Sequence, residues 1–210
     1  MSPLPRYMAN RWENRSEPAP GQGVLYWHVL LGANPEVQAI AAAGRAKLVS
    51  FSGLHFTPKQ YLHVTTLVAG PVDEFSDSGI KNMIEDATRL LSEIRPVTVR
   101  LDSVIYHPEA IVLRVRPDSV LDPIYAAVRA ATGIASDRGQ PTEHQLWSPH
   151  VTLAYSTSAQ EAGPIIKALG LKLPVCEVVI DRINLVIQKG PERLWNWHSI
   201  AEIEFNKAEW

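Results

Sequence analysis

The sequence has no marked excess of charge of either sign. Its 20 lysine and arginine residues stand against 22 aspartate and glutamate residues, which leaves a formal net charge of −2. Proteins that hold long stretches of nucleic acid normally carry a basic excess, which displaces counterions from the phosphates. The near-neutral balance argues against such a protein and restricts a nucleic-acid partner to a short chain end or a nucleotide.

Cysteine is almost absent, with Cys176 as the single one in 210 residues. One cysteine forms no internal disulfide and cannot build a zinc site from thiolate ligands. Because it lies in the strand-like run LPVCEVVI, we expect a buried and unreactive thiol.

Long hydrophobic runs are also missing. No stretch approaches the ~20 apolar residues of a membrane-spanning helix, and residues 1–23 lack the apolar core of a secretory signal. We therefore expect no membrane partner and a cytoplasmic location. Residues 1–23, with their prolines and arginines, are predicted to form a flexible N-terminal arm, and residues 24–210 are predicted to form one bilobal domain.

Apolar residues make up 46% of the chain, which is enough for a sizeable core. In the first half, periodicity predicts strands at 24–31 and 62–69 and helices at 34–49 and 78–94. In the second half it predicts strands at 97–105, 110–115, 149–155, 175–187 and 195–205 and helices at 118–132 and 159–169. This repeated order predicts an α+β fold of two pseudo-symmetric lobes, each a small, mostly antiparallel sheet with helices outside, facing each other across a central cleft. A single mixed sheet is the alternative.

The triplet His-Val-Thr occurs once in each half, at residues 63–65 and 150–152. Side chains two residues apart on a strand share one face, ~6.6–7 Å apart along it. The histidine and threonine of each triplet should therefore face the same way, while the valine between them faces the core. One such triplet arises easily by chance, but two in equivalent strand positions indicate a function.

Two imidazoles and two hydroxyls facing one cleft suit phosphodiester chemistry without a metal ion. A neutral imidazole removes a proton from the attacking water, and a protonated one gives a proton to the departing ribose oxygen. Histidine titrates near neutrality, and each positioned acid or base contributes ~10²–10⁴ in rate. The threonine hydroxyls would donate hydrogen bonds to the non-bridging phosphate oxygens. The sequence does not say which imidazole is the acid.

At HVTT and HVTL the sequence resembles the 2H phosphoesterases, which include the so-called 2′–5′ RNA ligases and cyclic nucleotide phosphodiesterases. Their signature is two copies of His-x-Ser/Thr-x with a last position that is usually apolar, and the similarity of organisation covers residues 24–205. The resemblance implies a bilobal α+β fold and catalysis without metal or cofactor. It implies His63 and His150 as the acid–base pair and Thr65 and Thr152 as phosphate-binding residues.

The chain departs from the family pattern at two places. Thr66 is polar where an apolar residue is usual, and residues 154–156, Ala-Tyr-Ser, stand where many members have a basic residue. The second departure puts an extra phosphate contact from this strand in doubt and leaves Tyr155 as an aromatic side chain that could stack on a base.

Further candidates lie near the motifs. Stacking of an aromatic ring on a base contributes ~1–3 kcal/mol, which makes Trp147, Tyr155 and Phe56 candidates, with core packing as the alternative. His55 and His144 precede the two motifs as candidate supporting residues, or are surface-loop histidines, and Arg138 is a candidate phosphate contact or a residue of a solvated turn. A metal site built from His55, His63, His144 and His150 is a weaker alternative, because no carboxylate lies beside either motif.

These observations predict a monomeric enzyme that opens a 2′,3′-cyclic phosphodiester on a nucleotide or a short RNA end. It would need no metal, cofactor or protein partner. Hydrolysis or ligation of 2′–5′-linked or cyclic oligonucleotides is the first alternative. A nucleotide- or RNA-binding module without turnover is the second.

Overall fold

The structure, a computed structural model, describes residues 3–13, 15–135 and 147–206. Four helices are described: α1 (Pro35–Leu48), α2 (Asp77–Leu91), α3 (Asp122–Ala135) and α4 (Ala162–Leu169). The described strands are β1 (Tyr7–Met8), β2 (Gly23–Leu30), β3 (Leu54–Phe56), β4 (His63–Pro71), β5 (Val97–His107), β6 (Ala110–Arg116), β7 (His150–Ser156), β8 (Gln160–Glu161), β9 (Lys172–Ile180), β10 (Arg182–Lys189) and β11 (Trp197–Glu204).

Nine of these strands form one antiparallel sheet made of two halves. The first half has the order β11-β10-β2-β4 and the second has the order β7-β6-β5-β9, with β3 added to β7. The halves join where β4 meets β7, through the single pair of Val64 and Val151. The predicted α+β fold with two mostly antiparallel parts is confirmed, and the helices lie outside the sheet.

The predicted strand over residues 175–187 is wrong, because Asp181 separates this segment into two strands. β9 ends at Ile180 and pairs with β5 in the second half, whereas β10 begins at Arg182 and pairs with β2 in the first. Two residues span ~7 Å at most, so these distant positions in the strand order lie close together. The sheet must therefore curve strongly. Periodicity could not reveal the break, since both strands are apolar and β-branched.

Each half of the sheet is contacted by a helix that comes from the other half of the sequence, and the first half is also contacted by α2, which packs on β11. α1 packs on β7 and β9 and against α4, while α3 packs on β4 and against α2. Gly44 of α1 permits the close approach, because an added Cβ would lie 3.3 Å from both Leu153 and Leu173. On the other side, the Trp27 indole nitrogen donates a buried hydrogen bond to the Thr132 hydroxyl of α3 (3.0 Å). α1 and α3 are thus exchanged between the two halves.

Local sequence explains where the first two helices begin. The Asn34 side chain accepts hydrogen bonds from the amides of Glu36 and Val37, and Pro35 occupies the first turn, where its missing N–H costs nothing. Ser76 caps α2 in the same way through the amide of Gly79. These caps determine the residues at which α1 and α2 begin.

The residues of β4 alternate between two environments, as the sequence predicts. Val64 and Thr66 are buried on the side that faces the helices, whereas His63 and Thr65 are half-buried on the opposite side. Val151 of β7 is likewise fully buried. The valines of the two motifs anchor both strands in one core.

The structure also bears on the predictions for Cys176 and for membrane-spanning helices. Cys176 is buried and is not part of a disulfide. Among the described residues, no helix has both the length and the apolarity required to cross a bilayer.

The described part of the N-terminal arm lies against the domain. β1 pairs with β8, and Met8 is buried in the core. The amide of Ala9 donates to the carbonyl of Pro108 (2.7 Å), and that of Arg11 donates to the carbonyl of Ser156 (2.9 Å). The division of the chain into a flexible arm and a domain stays a prediction, but the path of the arm now bears on the site.

Candidate active site

The two His-Val-Thr motifs meet where the halves of the sheet join. Val64 and Val151 are antiparallel partners, so the histidine of each motif lies beside the threonine of the other. Directly opposed side chains in such a pair point to one face, with Cβ atoms about 4.5–5.5 Å apart. That face is the one turned away from the core. The structure therefore brings together His63, Thr65, His150 and Thr152.

These four side chains line one cleft of about 700 Å³. The volume falls within the ~300–1,000 Å³ that is usual for small-ligand sites. Both halves of the sheet and the arm contribute to its walls. Besides the motifs, the described lining includes Tyr26, His107, Glu109, Glu192, Arg11 and Arg15.

Both motif histidines are oriented by the same backbone contact. Nδ1 of His63 bonds the carbonyl of Tyr61 (2.6 Å), and Nδ1 of His150 bonds the carbonyl of Ser148 (2.8 Å). A carbonyl oxygen only accepts, so each Nδ1 carries the hydrogen. Nε2 of each ring is then the atom left for proton exchange.

His63 lies in an aromatic environment. Its ring centroid is 4.2 Å from that of His28 and 5.7 Å from that of Trp197. Burial lowers the pKa of His63, while the hydrogen bond to Tyr61 and the negative charge of Glu192 raise it, and His150 lowers it further. His63 is thus half-buried among rings, and one carboxylate acts on its charge.

His150 has a more basic environment. Its ring centroid is 6.4 Å from that of His107. Burial again lowers the pKa, and the bond to Ser148 opposes this shift. Here the nearby charges of His107 and Arg11 lower the pKa further. The pKa of both imidazoles is lowered, which favours the neutral form. The nearby side-chain charges differ in sign, since Glu192 acts on His63 and Arg11 acts on His150.

The two threonines differ in exposure. Thr65 is half-buried, and its backbone carbonyl accepts a hydrogen bond from the indole nitrogen of Trp147 (3.2 Å). Thr152 is buried, and its hydroxyl interacts with that of Tyr155. Thr65 is therefore the more accessible of the two.

The remaining candidates are spread over different places. The Trp147 ring stacks on Tyr125 with centroids 4.8 Å apart and packs against the core. Phe56 lies under Arg45 in a separate groove on the α1 side. Neither belongs to the lining of the cleft. His144 and Arg138 lie outside the described residues.

Tyr155 does line the cleft, but the arm covers it. Only 6% of its surface is exposed. The guanidinium carbon of Arg11 lies 4.3 Å from the ring centroid, and the Trp12 ring lies at 5.7 Å. Burial, followed by the charge of Glu192, raises the pKa of the Tyr155 hydroxyl.

His55 is held within an aromatic cluster beside the cleft. Its Nε2 accepts a hydrogen bond from the indole nitrogen of Trp195 (3.0 Å), and Trp12 meets it edge-on at 5.4 Å. Burial lowers its pKa. The four-histidine metal site would need His55 beside His63 and His150, yet it is not among the residues that line their cleft. Among the residues described, no three His, Cys, Asp or Glu side chains are grouped as metal ligands.

Sequence reasoning missed several side chains that surround the motifs. Glu192 follows a Gly-Pro turn and gives no signal of its own, and His28 lies in an apolar strand with no motif around it. Arg11 and Arg15 lie in a segment without hydrophobic periodicity. The aromatic residues of this segment, Tyr7 and Trp12, are the available signal that it docks on the domain.

Comparison with known proteins agrees with this geometry. Residues 33–192, more than half of the chain, match the model of the 2′-5′ RNA ligase superfamily. No match was found among curated proteins.

Solved structures with low sequence identity share the fold. TT0787 of Thermus thermophilus is 17% identical, with a TM-score of 0.66 over 88% of this chain and 100% of that chain. Apo LigT of E. coli is 13% identical, with a TM-score of 0.64 over 89% and 99%. A protein described as a phosphoesterase is 15% identical, with a TM-score of 0.67 over 90% and 99%. The family match and the shared fold lead to one conclusion: the chain belongs to the 2′–5′ RNA ligase superfamily, the 2H phosphoesterases.

Proposed function

We propose that the protein hydrolyses 2′,3′-cyclic phosphodiesters of nucleotides or short RNA ends by general acid–base catalysis between His63 and His150. The observation that carries this proposal is the meeting of the two motifs on one face of the sheet, at the join of β4 and β7. Membership of the superfamily supports phosphoesterase chemistry. Structures of LigT in complex with ATP, 3′-AMP and phosphate support a nucleotide-sized anionic ligand.

The charges around the two histidines support an assignment of their roles. Glu192 stabilises the imidazolium form of His63, whereas Arg11 stabilises the neutral form of His150. His63 is therefore the proposed general acid, and His150 the proposed general base. Each needs only its Nε2, since both Nδ1 atoms bond backbone carbonyls.

In the proposed reaction, Nε2 of His150 removes a proton from water as the water oxygen attacks phosphorus. The bond from phosphorus to one ribose oxygen breaks, and His63 protonates that oxygen. The product is a phosphate monoester with a free neighbouring hydroxyl; by analogy with the family, the phosphate stays at the 2′ position. Thr65 and Thr152 donate to the non-bridging oxygens while charge moves onto them.

The same machinery suits a second candidate function, hydrolysis or ligation at 2′–5′ linkages. Membership of the 2′-5′ RNA ligase superfamily supports this second function. Ligation would use the two imidazoles with exchanged roles, because the reverse of a reaction passes through the same transition state. A binding module without turnover would need no acid–base pair.

The test is incubation of the purified protein with 2′,3′-cyclic AMP and with an RNA that carries a cyclic end, in the presence of EDTA. We expect a monoester product by chromatography, formed at the same rate with and without the chelator. Loss of turnover in EDTA would overturn the metal-independent scheme. Binding without product would favour the module, and turnover of 2′–5′-linked dinucleotides alone would favour the second function.

A further inference from the structure

The permanent cations of the described cleft lining, Arg11 and Arg15, come from the arm, whereas its carboxylates come from both the arm and the domain. The carboxylate from the arm is Glu17, which pairs with Arg193 (3.2 Å). The domain contributes two carboxylates, Glu109 and Glu192. The described lining of the domain alone would therefore present negative charge to an anionic ligand.

The two arginines are paired with those two carboxylates. Arg11 binds Glu192 as a fork, with Nε 3.1 Å from Oε2 and Nη2 3.1 Å from Oε1. Nη1 of Arg11 also lies 3.6 Å from Oε2 of Glu109, which Arg15 contacts directly. Glu109 follows β5 in the second half, and Glu192 follows β10 in the first. The arm thus connects both sides of the cleft.

Arg11 is held in place rather than projecting freely into solvent. Its side chain is 18% exposed, and its guanidinium lies over the ring of Tyr155. Its backbone amide is bonded to Ser156 at the end of β7. A guanidinium fixed by a fork, a ring face and the backbone keeps its position when a ligand enters.

We propose that the N-terminal arm is an integral part of the active site, in which Arg11 and Arg15 neutralise Glu192 and Glu109 so that the cleft can hold the anionic phosphate of the cyclic diester and of the monoester product. This inference rests on the proposed function in one respect, that the ligand of the cleft is a phosphate ester. Like charges placed side by side weaken binding. Without the arm, both carboxylates would lose the arginines that neutralise them, and among the described residues Glu192 would keep only the hydroxyl of Tyr155 as a hydrogen-bond donor (3.4 Å). Arg11 and Arg15 are therefore positioning residues for anion binding.

The test is the affinity for 2′-AMP and for inorganic phosphate, measured by titration calorimetry on the full chain. We expect Arg11→Gln to weaken binding of 2′-AMP by about tenfold or more, as the loss of a charged hydrogen-bonding partner implies. Arg6→Gln is the matched control. It removes the same charge from an exposed position of the arm outside the cleft, and should leave the affinity unchanged.

The decisive variant is the double substitution Arg11→Gln with Glu192→Gln. Removal of the carboxylate should restore most of the affinity if Arg11 acts by neutralising it. Equal affinities for Arg11→Gln and Arg6→Gln would overturn the proposal. Persistent weak binding in the double variant would also overturn it, because Arg11 would then contact the ligand directly.

A second pair protects the test against a folding defect. The side chain of Arg15 is 48% exposed, so Arg15→Gln should fold, and Glu109→Gln should rescue its affinity in the same way. Thermal unfolding of every variant separates loss of binding from loss of structure. Turnover of 2′,3′-cyclic AMP by the unsubstituted protein is measured separately. Its absence would refute the proposed function, while the calorimetric comparison would still decide the role of the arm.

Discussion

His63 and His150 have the same tripeptide, the same strand position and the same hydrogen bond from Nδ1 to the carbonyl two residues earlier. Their surroundings differ. His63 is packed among His28 and Trp197, with Glu192 acting on its charge, whereas His150 is near His107 and Arg11. None of these neighbours belongs to either motif.

A repeated motif therefore fixes the orientation of its imidazole ring but not the pKa of that ring. Backbone hydrogen bonds depend on local conformation, which the two tripeptides share. The charge on each ring depends on side chains that come from remote segments, such as the turn after β10 and the N-terminal arm. Two identical motifs can therefore perform opposite halves of a proton transfer.

Removal of either imidazole should have the largest effect. We expect His63→Ala and His150→Ala each to lower kcat by ~10²–10⁴, with little further loss in the double variant, because the two act as a unit. The measurement is steady-state hydrolysis of 2′,3′-cyclic AMP. His198→Ala, on the exposed side of β11, serves as the control. Losses that simply multiply in the double variant would show that the histidines act independently.

Replacement of the threonine hydroxyls should have the next largest effect. Thr65→Val and Thr152→Val keep the side-chain volume and remove one donor each, which should lower kcat by about 10²–10³. Thr→Ser at either position should recover activity. Thr152→Val should also lower the free energy of unfolding by about 1 kcal/mol, since its buried hydroxyl has a partner in Tyr155. If the effect falls entirely on KM, the hydroxyls bind the ground state alone.

Changes in the remote charges should shift the two limbs of the pH–rate profile. With His63 as acid, Glu192→Gln lowers its pKa, so the alkaline limb moves to lower pH. With His150 as base, Arg11→Gln raises its pKa, so the acid limb moves to higher pH. Both substitutions should narrow the bell. A broader bell in both variants would reverse the assignment of acid and base.

The smallest expected effect is on the pH dependence of stability and concerns His28. Of the two motif histidines, His28 lies beside His63 only. Burial holds its pKa well below the ordinary value, so below about pH 6.5 the unfolded chain binds a proton that the folded one does not. This contribution to stability is present above that pH and is lost as the pH falls. His28→Phe should therefore flatten the decline of unfolding free energy between pH 7 and pH 5. The unfolding free energy of both proteins is measured at pH 8, 7 and 5. An equally steep decline between pH 7 and pH 5 in His28→Phe and in the unsubstituted protein would contradict this cause.

The strands that carry the motifs could be predicted because their signal is local. Apolar alternation around residues 63–65 and 150–152 marks both strands, and Asn34-Pro35 marks the start of α1. The short strands β1, β3 and β8 contain two or three residues each and leave no periodic pattern. The placement of β10 and β11 in the first half depends on pairing between distant segments, which periodicity does not encode.

The site could be predicted only in its centre. The four motif side chains follow from two tripeptides, whereas Glu192 and Arg11 act through tertiary contacts. An arginine in a proline-containing segment gives no sign of which surface it reaches. Phe56 and Trp147 show the converse, since closeness to a motif in sequence did not place either side chain on the wall of the cleft.

Because α1 packs on the second half of the sheet and α3 on the first, the two halves of the chain depend on each other when they are produced as separate fragments. A cut between β4 and β5 would leave one fragment holding β2 and β4 without α3, and the other holding β7 and β9 without α1. Each fragment would expose the apolar surface that the missing helix shields. We expect neither fragment to be soluble when it is produced by itself. Phosphoesterase activity should be recovered only when both fragments are produced together.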